Sequence, residues 1–170
     1  PYPDFIWGMT NTLKYRDFDL AFTLQGQVGG KVYNTDNNYN EFRMWNTKYV
    51  ANRWLSAEYP GDGKTPFRDN GIQHSLTDYQ IEDAGFIALR DVTLGYDLPR
   101  KAARKVGLSK LRVYVSAQNL LYLWSDGYRG INPEARYASG VYRTAMARNA
   151  LQRGAFPIQR TFSAGLNINF

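Results

Sequence analysis

Hydrophobic and polar residues alternate strictly along the last ten residues of the chain. One face collects Phe162, Ala164, Leu166, Ile168 and Phe170, and the other collects Thr161, Ser163, Gly165, Asn167 and Asn169. Because side chains of a strand point alternately to its two faces, this segment predicts a strand with one apolar and one polar face. A strand of about ten residues with such faces suits a membrane-spanning barrel. This segment alone leaves a membrane barrel and a soluble β-domain equally open.

The same alternation recurs in four earlier segments, so the chain predicts an all-β fold of antiparallel strands. The five predicted strands are 5–15, 18–28, 86–97, 111–119 and 160–170. Arg16-Asp17 leaves room only for a tight hairpin turn between the first two strands. In the third strand the apolar phase slips after Leu89, which predicts a β-bulge near Arg90-Asp91.

The connectors between these strands are alternately short and long. Residues 16–17 and 98–110 are short, whereas 29–85 and 120–159 are long and rich in Gly, Asn and aromatic residues. Bacterial outer-membrane barrels have short periplasmic turns and long extracellular loops. We therefore expect both long connectors outside the cell, a short helix at 44–57 and one helical turn within 99–110.

This orientation predicts two belts of aromatic residues at the membrane interfaces. The expected members at the inner interface are Tyr15, Phe18, Tyr96 and Phe170. Those expected at the outer interface are Trp7, Tyr122 and Trp124.

Composition narrows the class of protein further. The 170 residues contain no cysteine, which excludes disulfides and thiolate metal sites, and no apolar run is long enough for a transmembrane helix. The net charge is +6, yet its densest cluster falls within the short connector 98–110, so nucleic-acid binding is not expected. Pro1-Tyr2-Pro3-Asp4 is typical of the middle of a polypeptide, so we expect the targeting segment to lie upstream.

Catalytic and metal-binding patterns are missing from the sequence. Gly63-Lys64-Thr65 resembles the end of a phosphate-binding loop, but Glu58 stands where the first glycine is required. His74 has no partners with catalytic or metal-ligand spacing. Glu82 and Asp83 are expected on opposite faces of a strand, and Asp36-Asn37-Asn38 lacks the residues of a calcium loop. We expect neither enzyme activity, cofactor nor metal.

Aromatic residues in the long connectors are the candidates for contact with a substrate or a lid protein. Rings stack on sugars and peptides while neighbouring polar groups supply directed hydrogen bonds. The same aromatic residues could equally well serve to pack the loops against each other. The candidates are Trp45, Trp54, Tyr59, Trp124, Tyr128 and Tyr137.

Several stretches, taken in order, resemble the C-terminal part of the SusC/RagA family of TonB-dependent outer-membrane transporters of Bacteroidetes. The resemblance covers nearly the whole chain and is weakest across 64–79 and 138–159. Asn132-Pro133-Glu134 departs from the family, in which an Asp is expected before the proline. The matching stretches are Pro3–Gly8, Lys14–Leu20, Gln25–Asn34, Ile81–Pro99, Leu111–Leu120 and Gly165–Phe170.

This resemblance implies a plugged barrel of about 22 strands in a Gram-negative outer membrane. Five strands would lie in this chain, with the plug domain, the N-terminal barrel and the TonB-binding region outside it. It implies import of a glycan, oligosaccharide or oligopeptide, powered through TonB, with a SusD-like surface lipoprotein as lid. Phe170 resembles the signal read by the barrel-assembly machinery. The alternative is a soluble or surface carbohydrate-binding β-sandwich module.

Overall fold

A computed structural model describes residues 2–35, 52–67, 78–136 and 150–169 of the chain. These residues form two compact units, which we call the connector unit and the sheet unit. The connector unit comprises Pro1–Asp4, Val28–Gly85 and Trp124–Pro157, and the sheet unit comprises Phe5–Gln27, Phe86–Leu123 and Ile158–Phe170. Both long connectors thus contribute to the same unit.

The chain is mostly antiparallel β-structure, as its alternation predicted. Its elements, in order, are β1 (Pro3–Tyr15), β2 (Phe18–Gly29), β3 (Lys31–Asn34), a 3₁₀ turn (Asp78–Gln80), β4 (Ile81–Asp83), β5 (Phe86–Asp97), α1 (Arg100–Lys105), β6 (Lys110–Trp124), β7 (Leu151–Gln152) and β8 (Thr161–Asn169). Five of the strands form an open sheet in the order β1-β2-β5-β6-β8. They overlap the five predicted strands, except that β6 continues to Trp124, beyond its expected end at 119. No helix among the described residues is long and apolar enough to cross a membrane.

The register of the sheet unit keeps apolar residues opposite apolar ones. In the pairing of β6 with β8, Val113 lies opposite Leu166, whereas Ser116 lies opposite Ser163. Residues directly opposite each other in an antiparallel pair share a face. The two faces predicted for β8 therefore extend across β6, as an apolar face and a polar face.

Side chains on the polar face reach across neighbouring strands where glycine leaves room. The Arg112 guanidinium of β6 binds the Asp19 carboxylate of β2 at 2.7 Å, passing over Gly95 of β5. A Cβ atom at Gly95 would lie 2.4 Å from Arg112 Nη2. The absence of a side chain at Gly95 thus permits an ion pair that links three strands and shows that they share this polar face.

The predicted β-bulge is present and falls on Arg90. Thr23 lies opposite Asp91 and Leu24 lies opposite Leu89, which leaves Arg90 as the extra residue of β5. Its guanidinium donates to Gln25 Oε1 at 2.8 Å and to the Tyr122 hydroxyl. Tyr122 therefore contacts polar-face residues, and its expected place in the outer aromatic belt is wrong.

Short connectors close one end of the sheet. Arg16 adopts a left-handed backbone conformation, with φ of 53°, in the predicted hairpin turn. The predicted helical turn between β5 and β6 is α1. At this end the Asp97 amide donates to the Asp17 carbonyl, and the Ser109 amide donates to the Asn169 carbonyl. Backbone hydrogen bonds therefore fix both short connectors to neighbouring chain segments.

The connector unit contains a small second sheet that the alternation did not predict. β3 pairs antiparallel with β4 and parallel with β7. Val32 and Ala84 pack with Tyr128 to form its apolar core. Of the helix expected at 44–57, residues 44–51 lie outside the described residues, and residues 52–57 are not helical.

Candidate functional site

A cavity of about 340 Å³ lies within the connector unit. Its walls come from three segments, at residues 52–65, 79–82 and 127–129. This volume is at the lower end of the range for small-molecule pockets. The cavity is therefore large enough for a small ligand or for one part of a longer one.

The first wall is a loop organised by the Asp62 carboxylate. Asp62 Oδ1 accepts the backbone amides of Lys64 at 2.8 Å and Thr65 at 2.7 Å, while Oδ2 accepts the Thr65 hydroxyl. These hydrogen bonds stabilise the ionised carboxylate and lower its pKa from 3.8 to about 2, with the Thr65 amide contributing most. Asp62 therefore remains charged at neutral pH, and its oxygens are occupied within the loop.

The second and third walls are joined by a buried ion pair. Arg129 Nε lies 2.9 Å from Glu82 Oε1, with the two side chains 16% and 2% exposed. Glu82 Oε2 accepts the Arg129 amide at 3.1 Å and the Asn34 side-chain amide at 2.8 Å. The Arg129 guanidinium also lies 4.2 Å from the Tyr79 ring centroid. These contacts hold Arg129 and Tyr79 in fixed positions at the cavity wall.

The charges that line the cavity balance one another. Asp62 and Glu82 are acidic, whereas Lys64 and Arg129 are basic. Both carboxylates accept hydrogen bonds from the protein itself. The lining therefore suits a ligand with little net charge.

The predicted aromatic contact residues fall into three groups. Trp54 and Tyr59 are exposed in the loop that forms the first wall, at 42% and 70%. Trp124 is 41% exposed, and its ring meets the edge of Tyr128 at a centroid distance of 6.2 Å. Trp45 and Tyr137 lie outside the described residues, as does Phe170, the expected signal for barrel assembly.

Tyr128 has a packing role in this structure. Its side chain is only 4% exposed, and its hydroxyl accepts hydrogen bonds from Gln152 Nε2 at 2.6 Å and the Asn132 amide at 3.2 Å. Burial raises the pKa of Tyr128 to about 12. Tyr128 is therefore a neutral core residue of the connector unit.

The sequence contained no signal for most of the cavity. Glu82 and Arg129 are 47 positions apart and become partners only through the fold. Glu82 is buried while Asp83 pairs with Lys31, as expected for residues on opposite faces of a strand. The amides of Lys64 and Thr65 bind Asp62, a contact that the sequence did not predict. The aromatic residues predicted from the sequence include two exposed residues of the loop that forms the first wall, but none of the residues that line the cavity.

Sequence comparisons place this architecture among known receptors. No protein-family model matches the chain. The chain is 34% identical over 172 residues to TonB-dependent receptor P3 of Formosa agariphila, and this match covers 100% of the chain and 17% of the receptor. It is 26% identical over 176 residues to TonB-dependent receptor SusC of Bacteroides thetaiotaomicron, covering 100% of the chain and 15% of that receptor. The chain thus spans less than one fifth of the length of these relatives.

Solved structures show the same fold. The chain superposes on the RagAB peptide importer in its closed-closed state with a TM-score of 0.73 and 21% identity, covering 99% of the chain and 17% of that protein. Against the open-open state the TM-score is 0.68 with 22% identity, again with 99% and 17% covered. The open five-stranded sheet corresponds to part of a barrel wall. The chain therefore belongs to the SusC/RagA family of TonB-dependent receptors and corresponds to a segment of the C-terminal barrel.

Proposed function

We propose that this segment forms part of the wall of an outer-membrane nutrient importer, with its apolar face toward lipid. The observation that carries this proposal is the exposure of that face. Large apolar side chains are left open on it, including Leu13 at 58%, Phe162 at 69% and Leu166 at 60%. Removing the exposed part of each side chain from water would gain about 1–2 kcal/mol. A bilayer supplies the apolar surroundings that the chain itself does not.

The order of the connectors supports one orientation across the membrane. Gln27 lies opposite Phe86 at the end of the sheet where the long connectors begin, and Phe18 lies opposite Tyr96 at the end with the short connectors. Outer-membrane barrels keep their short turns in the periplasm. We therefore assign the connector unit, with its cavity, to the cell exterior.

The assigned role of the connector unit is capture of a nutrient before transport. Its cavity and the exposed rings of Trp54, Tyr59 and Trp124 suit a glycan or an oligopeptide. In this proposal a SusD-like lipoprotein covers the substrate, and TonB acts through the plug region outside this chain. Similarity to SusC and to a peptide importer supports uptake of an oligomeric nutrient.

The test is the denatured mass and location of the polypeptide that carries this sequence. We expect a chain of about 100 kDa, because about 22 strands and a plug require it, extracted only with detergent and accompanied by a lipoprotein. A water-soluble species of 19.5 kDa without a partner would overturn the proposal. It would favour the carbohydrate-binding β-sandwich instead.

A further inference from the structure

We propose that the connector between β5 and β6 binds the headgroups of acidic phospholipids. Residues 98–110 contain five basic residues and no acidic residue. We call these five residues the basic platform: Arg100, Lys101, Arg104, Lys105 and Lys110. The inference rests on the proposed placement of the five-stranded sheet in the membrane.

The fold of the connector presents the basic platform outward. Ala103 of α1 is completely buried, and its amide donates to the Pro99 carbonyl at 3.1 Å. The Leu108 amide then donates back to the Ala103 carbonyl at 3.0 Å, which closes the turn. With 3.6 residues per helical turn, Lys101 and Lys105 lie on the side away from Ala103, and Arg100 and Arg104 lie between that side and Ala103. All four are exposed.

The positive charge of the platform is largely uncompensated. Lys110 lies 3.4 Å from Asp97, and both side chains are about half exposed. Among the residues that the structure describes, the four basic residues of α1 have no carboxylate partner within ion-pair distance. Like charges held this close repel one another, and an external anion relieves the repulsion.

The surroundings of the platform favour a lipid as the source of that anion. Lys110 lies opposite Asn169, directly beside the apolar pair Leu111 and Ile168. The Phe18 and Tyr96 rings meet at a centroid distance of 4.5 Å at the same end of the sheet. Aromatic rings are enriched at the level of lipid headgroups, where basic side chains meet phosphates. The platform thus lies at the end of the sheet where the apolar face ends in a pair of aromatic rings, a position where lipid headgroups are expected.

The experiment uses the full-length receptor that contains this segment, in nanodiscs of equal parts phosphatidylethanolamine and phosphatidylglycerol. After mild detergent extraction, retained lipids are counted by native mass spectrometry. We expect preferential retention of phosphatidylglycerol, and R100Q/R104Q should lower this preference about tenfold. R153Q/R160Q removes two other exposed arginines and should leave the preference unchanged. R100K/R104K keeps the charges and should retain most of it.

Equal retention of the two lipids by the unmodified receptor would overturn the inference, even if the variants failed to assemble. An unchanged preference in R100Q/R104Q, or an equal loss in R153Q/R160Q, would also overturn it. A receptor without lipid preference that binds an oligonucleotide through Arg100 and Arg104 would identify a nucleic acid as the ligand instead. If the receptor resides in the outer membrane and lacks the preference, only this inference fails. A water-soluble polypeptide would show that the proposed function fails.

Discussion

The ion pair between Glu82 and Arg129 ties two distant parts of the connector unit together. Glu82 is nearly inaccessible to solvent. Removing one partner of a buried pair leaves an uncompensated charge, which typically costs about 3–5 kcal/mol. We therefore expect Arg129→Met to destabilise the connector unit by about this amount. Faster hydrogen exchange of the β3 amides in the full-length receptor would report the change.

Two variants separate the cost of the unpaired charge from a loss of packing. Glu82→Gln added to Arg129→Met removes the charge and should restore much of the stability. Lys31→Met breaks the neighbouring pair with Asp83, whose side chains are 63% and 35% exposed. Exposed ion pairs contribute about 0–1 kcal/mol to the stability of a fold. Lys31→Met should therefore change the hydrogen exchange of the β3 amides only slightly. Equal effects of Arg129→Met and Lys31→Met would contradict the importance of burial.

Asp62 makes the first wall of the cavity sensitive to strong acid only. Its pKa of about 2 in the folded loop lies below its ordinary value of 3.8, so the loop favours the ionised form. The resulting stabilisation is fully present above about pH 4 and is lost as the pH falls through about 2. After correction for intrinsic exchange rates, protection of the Lys64 and Thr65 amides should therefore be constant between about pH 5 and 8.

Asp62→Asn should lower this protection throughout the same pH range, because an amide is a weaker acceptor than a carboxylate. Asp126→Asn changes an exposed acid of the same unit and serves as the control. Protection that declines steadily from pH 8 to about pH 5 in the unmodified receptor would show that another group controls the loop.

At the scale of elements, alternation predicted the long strands because each carries one apolar face. The slip between Leu89 and Val92 even placed the bulge, since an extra residue shifts the phase of every residue after it. β3 and β7 escaped prediction because each is too short to alternate and Tyr33 pairs with Leu151 far along the chain. The cavity could not be predicted either, because its walls come from distant segments of the chain that meet only after folding.

The two faces of β8 provide a direct test of the barrel wall. Leu166 is exposed on the apolar face opposite Val113, and Ser163 lies on the polar face opposite Ser116. Leu166→Arg should cost about 2–4 kcal/mol if it lies at the middle of the bilayer. Ser163→Arg should cost much less, because that face is polar. Chemical unfolding of the receptor in lipid vesicles measures both, and equal costs would contradict the assignment of the faces.

At the scale of the whole molecule, the division into two units predicts that assembly and capture can be impaired separately. The strands provide the proposed lipid contact, whereas Trp54, Tyr59 and Trp124 belong to the connector unit. Substitutions in the sheet unit should change how much receptor reaches the outer membrane. Substitutions of the exposed aromatic residues in the loop that forms the first wall should change how tightly each receptor binds its substrate.

Trp54→Ala/Tyr59→Ala should weaken substrate capture about tenfold without lowering receptor abundance, because truncating an aromatic anchor commonly costs more than 1 kcal/mol. Leu166→Arg, in contrast, should lower abundance while each remaining receptor keeps its affinity. Labelled oligosaccharides and oligopeptides, offered separately to de-energised cells, measure capture, and immunoblots of outer membranes measure abundance. The ligand class whose capture depends on Trp54 and Tyr59 is then the nutrient. Lower affinity in Leu166→Arg, or lower abundance in Trp54→Ala/Tyr59→Ala, would show that the two units do not act separately.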